Sequence, residues 1–293
     1  MKCVYVLKGG AWPCRQCLPC RLKIRREWTN RIMLESKSHD ASVFVTLTYS
    51  EDNVPRGLTL EPDHTRKWLY RFRNALQGRR FRYYLVGEYG DITQRPHYHA
   101  VLFGVSQNDS HLVSATWKFG HIRVDPLTIE RAQYIAGYVT KKMTKVDDPR
   151  LFGRHPEFSR MSKMGDGGIG APYMPKIAKT LLTNSYAKAQ LDEEGDVPFV
   201  LKHSGRAFPT GRYLRSKLRV QVGLDFSSEF STDKIRAEAY REQAFQDDLQ
   251  LLREGSITLE EFDQAQGFIR GAEKVDQMAL NLAGRLQIKK RRM

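Results

Sequence analysis

Two histidines stand two residues apart in the segment Arg95-Pro-His97-Tyr-His99-Ala-Val-Leu-Phe-Gly104. In an extended strand, residues i and i+2 point to the same side, so both imidazoles share one face and Tyr98 takes the other. Two neutral imidazoles on one face make a preformed chelate for a divalent metal. A His-x-His pair in a strand also serves plain packing, so the pair alone does not define a site. The preceding apolar run ends Val86-Gly87-Glu88-Tyr89, and a short hairpin would bring Glu88 beside the histidines as a third, anionic ligand. Three protein ligands leave positions open for water and a phosphate oxygen.

Further along lies Tyr134-Ile-Ala-Gly-Tyr138-Val-Thr-Lys141-Lys142. On a helix, residues four and seven positions apart lie within about a sixth of a turn of each other. Tyr134, Tyr138 and Lys141 therefore form one polar stripe, with Lys142 at its edge. Amphipathic tyrosines packed on a core are the structural alternative. Gly137 weakens this helix by ~1 kcal/mol relative to alanine, which points to close packing or access. A tyrosine with a pKa of ~10 is a poor nucleophile at neutral pH, so a lysine, or a metal on the phosphate, must assist it. Attack on a phosphodiester would leave a covalent phosphotyrosine that keeps the bond energy for later rejoining.

The elements that must position these residues follow from periodicity. Leu18–Ser36 reads as a basic amphipathic helix, Ser42–Tyr49 as a strand, and Pro62–Gln77 as a helix with proline in its first turn. Phe81–Glu88 and His97–Val105 read as the two strands of a hairpin. A short helix over His111–Lys118, a strand over His121–Asp125 and a helix over Thr128–Lys145 complete the set. The lack of βαβ regularity predicts an α+β fold, an antiparallel sheet with helices on one face. Beyond Asp147 come a Gly/Pro-rich stretch over Gly165–Pro175, a helix over Ile177–Ala189, an acidic loop over Leu191–Pro198 and a basic run over Gly211–Arg219. Ser231–Gln287 reads as mainly helical before the basic tail. The domains expected are a Cys-rich leader with basic helix (1–37), a nuclease domain (38–148), a mixed basic accessory region (149–228) and a helical C-terminal region (229–293).

All four cysteines fall in the first twenty residues, at Cys3, Cys14, Cys17 and Cys20. A secreted disulfide scaffold spreads its cysteines, so this clustering points to a reducing compartment. Three thiolates at C-x2-C-x2-C spacing, completed by Cys3, would suit tetrahedral structural zinc, with unliganded thiols as the alternative. The cysteine-proline ending of a common iron–sulfur run is missing after Cys20, where Arg21-Leu-Lys-Ile24 follows. The 48 lysines and arginines outnumber 33 acidic residues, a net charge of +15 that implies a polyanionic partner, with nucleic acid favoured over a membrane. No apolar run approaches the ~20 residues that span a bilayer, and no secretory signal is apparent, so the expectation is cytoplasmic.

Taken together, these residues resemble one family. Phe44-Val-Thr-Leu-Thr-Tyr49, Pro96-His-Tyr-His99 and Tyr134-x-x-x-Tyr138-x-x-Lys141 resemble, in order, the three motifs of rolling-circle replication initiators of the HUH endonuclease superfamily. The paired tyrosines, the GEYGD-x-x-x-RPHYH context, the cysteine-rich leader before Arg21-Leu-Lys, and Glu157-Phe-Ser-Arg-Met-Ser162 with Gly168-Ile-Gly170 resemble the initiators of small single-stranded DNA phages, the Microviridae, especially the gokushovirus branch. The likeness covers roughly Cys14 to Gly170.

It implies a ferredoxin-like sheet carrying the histidines, with the tyrosine helix alongside. It also implies Mg²⁺ or Mn²⁺ on His97, His99 and Glu88, and metal-dependent nicking and rejoining of single-stranded origin DNA through a 5′-phosphotyrosine. Tyr134 and Tyr138 would alternate as nucleophiles, and Lys141 would stabilise charge. The expected partners are phage origin DNA and the host helicase and replication machinery, in the host bacterial cytoplasm. A plasmid- or transposon-type enzyme of the same superfamily, or a non-catalytic zinc-stapled nucleic-acid-binding protein, are the alternatives.

Overall fold

The computed structural model describes residues 6–7, 12–15, 17–90, 92–141, 148–162, 167–224, 250 and 253–256. The chain divides into two units, one made of Met1–Ile24 with Leu224–Met293, the other of Arg25–Gly223. In the first, strands β1 (Val6–Leu7) and β2 (Trp12–Pro13) pair antiparallel ahead of helix α1 (Leu18–Ser36), which continues into the second unit. Most of the predicted C-terminal helical region, Ser231–Gln287, lies outside the described residues, as do the basic tail, Cys3 and Lys142.

The second unit is built on strands β3 (Ser42–Thr48), β4 (Arg82–Tyr89), β5 (Pro96–Phe103), β6 (Ile122–Pro126) and β7 (Phe158–Met161). All neighbours are antiparallel, in the order β6-β3-β5-β4-β7. Helix α2 (Pro62–Ala75) crosses from β3 to β4, and α3 (Ser110–Thr116) from β5 to β6. That βαββαβ path, with its fourth, first, third and second strands side by side, is the ferredoxin-like arrangement. Helix α4 (Ile129–Lys141) follows β6.

Helices cover both faces of the sheet, not one. On one side Trp68, Leu69 and Phe72 of α2 and Val113 of α3 pack on Val45, Leu47, Tyr98 and Leu102. On the other, Ile32 of α1 and Ala132, Ile135 and Ala136 of α4 pack on Phe44, Val86, Val101 and Phe103. The physical reason is visible in β4 and β5, whose last six residues are buried without alternation. Strands covered on both faces lose the period of two that marks a half-solvated strand.

Past β7, the predicted helix over Ile177–Ala189 is two, α5 (Met174–Thr183) and α6 (Ser185–Glu194). Asn184 between them caps α6 by accepting the Ala187 N–H at 2.9 Å. The predicted acidic loop belongs largely to α6, which ends where Gly195 turns left-handed. A hairpin of β8 (Val200–His203) and β9 (Arg206–Pro209) then leads to α7 (Gly211–Gln221), the basic run. Among the described residues no helix is long and apolar enough to cross a membrane.

Tyr98 points away from the two histidines beside it. Its hydroxyl bonds Tyr49 at 2.9 Å and accepts the Glu61 N–H at 2.7 Å, pinning β5 to the start of α2. Burial pushes its pKa up to about 12, and burial likewise raises Tyr49 and Tyr84. A tyrosine held neutral in the fold but free to ionise when unfolded stabilises fully below the unfolded value of ~10 and loses that contribution as pH rises towards the folded value. Denaturant melts should therefore show stability falling between about pH 10 and 12, with tyrosinate absorbance appearing only as the fold is lost. A plateau across that window would contradict this.

Candidate active site

Strand register brings the first group together. Glu88 of β4 and Thr48 of β3 sit opposite His97, while Val86 and Thr46 sit opposite His99. Glu88, His97, His99, Thr46 and Thr48 therefore share one face, the face that α4 covers. Apolar packing of Ala132, Ile135 and Ala136 against the sheet fixes the roll of α4, which turns Tyr134 and Tyr138 towards the histidine strand.

The contacts are tight. His99 Nε2 lies 2.8 Å from Glu88 Oε1, and the Tyr134 hydroxyl donates to that same oxygen at 3.1 Å. Tyr134 Oη is also 3.4 Å from His99 Nε2. On the far side of the ring, His99 Nδ1 meets Thr46 Oγ1 at 3.1 Å. With Glu88 ionised, this network assigns the proton to Nε2 and makes Nδ1 the acceptor of the Thr46 hydroxyl. The imidazole lies between two rings, Phe44 at 5.4 Å and Tyr138 at 6.2 Å between centroids, while Tyr134 meets it edge-on at 5.1 Å.

The two tyrosines differ in access. Tyr134 is 44% exposed and Tyr138 only 8%. Burial first, then the negative charge of Glu88, pushes the Tyr138 hydroxyl well above its ordinary range. Tyr138 is thus strictly a neutral phenol at physiological pH in this state of the site. The Lys141 side chain is outside the described residues, so the predicted cation at the end of the stripe has no structural account.

A different cation is present. Arg25 of α1 donates to the Gln133 carbonyl at 2.8 Å and lies near enough to Tyr138 for their charges to couple. A Cβ added at Gly137 would come within 3.6 Å of the Arg25 guanidinium, so the missing side chain is what lets Arg25 approach the helix. That accounts for a glycine in the middle of α4.

The predicted metal ligands are only partly gathered. Glu88 and His99 touch, but the ligand atoms of Glu88, His97 and His99 do not all come within 4.8 Å of one another. His97 instead has Nε2 beside Gly90, where an added Cβ would stand 3.1 Å away, and its buried Nδ1 has no hydrogen-bond partner. A buried imidazole nitrogen without a partner, next to a carboxylate and a second imidazole, is a donor set suited to a divalent cation.

In the other unit, Cys14, Cys17 and Cys20 bring their sulfurs within 4.8 Å of one another, the one cluster of three such ligands among the described residues. The Cys17 amide donates to Cys14 Sγ at 3.3 Å, and Cys20 sits buried in the first turn of α1. A helix start and an amide donor both favour thiolate over thiol, so this cluster could hold a metal such as zinc.

Sequence reasoning missed Thr46, Phe44 and Arg25 as parts of this site. Thr46 and Phe44 lie in the segment that carries the first motif, but their roles depend on which residue of β5 each opposes, and register is not written in β3 alone. Arg25 lies more than a hundred residues from the helix it supports.

A ferredoxin-like sheet bearing a carboxylate, two histidines and a facing pair of tyrosines defines a class of protein built to act on phosphodiesters. The comparisons point the same way: residues 42–146, from the first residue of β3 past the end of α4, match the family model of the replication-associated protein ORF2. The chain is similar to the replication-associated protein VP4 of Bdellovibrio phage phiMH2K (28% identical, covering 66% of this chain and 66% of that protein). It is also similar to ORF2 of Spiroplasma virus 4 (34%, covering 55% and 56%) and to ORF4 of Chlamydia phage 1 (27%, covering 77% and 57%), both likewise replication-associated proteins. The matches thus span somewhat more than half to two thirds of these relatives' own lengths. The likeness to replication proteins of small single-stranded DNA phages, expected from the motifs, is borne out. No solved structure matches the chain significantly.

Proposed function

We propose that this chain is a rolling-circle replication initiator of the HUH type, which nicks and rejoins single-stranded phage origin DNA through a covalent 5′-phosphotyrosine. The observation that carries this reading is the Tyr134 hydroxyl, half exposed and hydrogen-bonded to Glu88 Oε1 at 3.1 Å, beside His99. A phenol poised to lose its proton to a carboxylate, next to a metal-binding type of donor set, is a nucleophile with its base. Tyr134 Oη would attack the scissile phosphorus, the bond from phosphorus to the 3′ oxygen would break, and the phenolic proton would pass to Glu88 Oε1. The departing 3′ oxygen takes a proton from water and becomes the primer end.

His97, His99 and Glu88 are the residues that would hold Mg²⁺ or Mn²⁺, which when bound neutralises charge building on the phosphate. Arg25, near Tyr138, joins Lys141 as a candidate for the charge that stabilises a tyrosinate. Tyr138, more buried, would serve second, cleaving the regenerated origin while the free 3′ hydroxyl attacks the first phosphotyrosine and closes the circle. The partners that follow are single-stranded origin DNA and the host helicase and replication machinery, in the cytoplasm of the infected bacterium. The test is incubation with single-stranded oligonucleotides covering the phage genome in Mn²⁺. A protein–DNA adduct resistant to denaturation is expected, and adduct-free binding would favour a non-catalytic nucleic-acid-binding protein.

We further propose that Cys14, Cys17 and Cys20 hold structural zinc. Purified protein should then carry about one equivalent, lost on changing all three to serine, with a lower melting temperature for the leader unit. Metal-free protein of unchanged stability would leave the cysteines as ordinary thiols.

A further inference from the structure

On the opposite face of the sheet, one residue past Glu88, Tyr89 ends β4 at the mouth of a cleft of about 370 Å³ lined by Glu61, Arg154 and His155 among others. Tyr89 ties its two walls together, donating to the His155 carbonyl at 2.6 Å and accepting the Leu60 N–H at 3.1 Å. The Arg154 guanidinium stacks 4.3 Å over the Tyr89 ring, and Nη2 reaches Gln94 of the β4–β5 hairpin at 3.5 Å. On the rim stands Phe152, 87% exposed, and the hairpin tip carries Ile92, 95% exposed.

Phe152 is not a loosely hanging side chain. Its φ of +50° is left-handed, a region bulky residues rarely enter. The surrounding turn enforces it. Asp148 accepts the Arg150 N–H at 3.0 Å, Leu151 plugs into the core, and the Arg154 N–H returns to the Leu151 carbonyl at 2.9 Å. An aromatic ring held out to water on a tied turn, beside a cleft offering arginine and histidine donors and a carboxylate acceptor, has the composition of a base-binding surface. A phosphate site would lack the carboxylate, and a protein-docking face would be wider and more apolar.

We propose that Phe152 and the adjoining cleft form a subsite for unpaired nucleotides of the DNA strand, one base stacking on the Phe152 ring and a neighbour entering the cleft. This rests on the single-stranded DNA reading above. It places base recognition at the end of the sheet, adjacent to but separate from the residues that handle the phosphate.

The test is fluorescence anisotropy of the full chain with a labelled unpaired oligonucleotide in EDTA, so that no cleavage is involved. Phe152→Ala should weaken binding by about fivefold or more, the loss of one stacked base, and should leave duplex binding unchanged. Phe152→Trp should keep wild-type affinity and show tryptophan emission quenched by DNA beyond any change in the wild type. That second variant keeps the test decisive if the alanine variant folds poorly. Wild-type affinity in Phe152→Ala, or unaltered emission in Phe152→Trp, overturns this inference alone. Failure of the wild-type chain to bind single-stranded DNA overturns the initiator reading and this one with it.

Discussion

Tyr134→Phe combined with Tyr138→Phe should abolish covalent adduct formation on single-stranded origin DNA, while binding the DNA as the wild type does. Phenylalanine keeps both rings, and with them the edge-on contact of 5.1 Å between the two tyrosines, so the fold has no reason to change. What disappears is the pair of oxygens that can form the bond. The single variants should differ, because the site treats the tyrosines differently. Tyr134 is exposed and already shares its proton with Glu88, whereas Tyr138 is buried and held neutral. Tyr134→Phe should slow the first cleavage by about a hundredfold or more, through loss of the positioned nucleophile. Tyr138→Phe should spare the first cleavage and stop repeated rounds, which need a second hydroxyl. Gel detection of adducts, scored for one turnover and for many, separates these outcomes. An adduct from the double variant would move the nucleophile elsewhere. Full multi-round activity in either single variant would make the other tyrosine a packing residue, and the chain a single-nucleophile enzyme of the plasmid type.

Much of this site is legible in the sequence because it depends on short-range periodicity. A spacing of two puts His97 and His99 on one face of a strand, a hairpin brings Glu88 alongside, and a spacing of four aligns Tyr134 with Tyr138. Each relation needs only one element or two neighbours. The rest depends on which element packs against which. Thr46 meets His99 through the β3–β5 register, and Arg25 meets α4 because α1 and α4 share a face of the sheet. Neither fact has a local signature. The buried runs of β4 and β5 erase the alternation that would have announced a second covered face. The break between α5 and α6 is a single capping asparagine inside an otherwise continuous helical pattern. His97 marks a different limit: its spacing predicts a chelate, yet its ring lies beside Gly90, apart from the pair formed by His99 and Glu88.

Removing the metal, or its proposed ligands, should be nearly as severe as removing the tyrosines. EDTA, or His99→Ala, should lower the cleavage rate by more than about a hundredfold, since a divalent cation on the phosphate contributes several kcal/mol to the transition state. DNA affinity should hardly move, because it comes from the many lysines and arginines, and it should keep its steep dependence on salt. His99 is buried, so its removal leaves a cavity between Phe44 and Tyr138 and some stability is lost with it. Glu88→Gln avoids that ambiguity by keeping shape while removing the charge that would bind a cation and accept the Tyr134 proton. It should lose cleavage as fully as His99→Ala and melt close to the wild type. Thr46→Val tests the same geometry one step out: it frees His99 Nδ1 from its hydroxyl partner, and metal affinity should fall about tenfold to a hundredfold with little change in rate at saturating Mn²⁺. Cleavage by Glu88→Gln at the wild-type rate in EDTA would mean that Tyr134 is deprotonated without this carboxylate or a cation. The contact of 3.1 Å between them would then be a packing hydrogen bond on a nucleic-acid-binding surface rather than the first step of a nicking reaction.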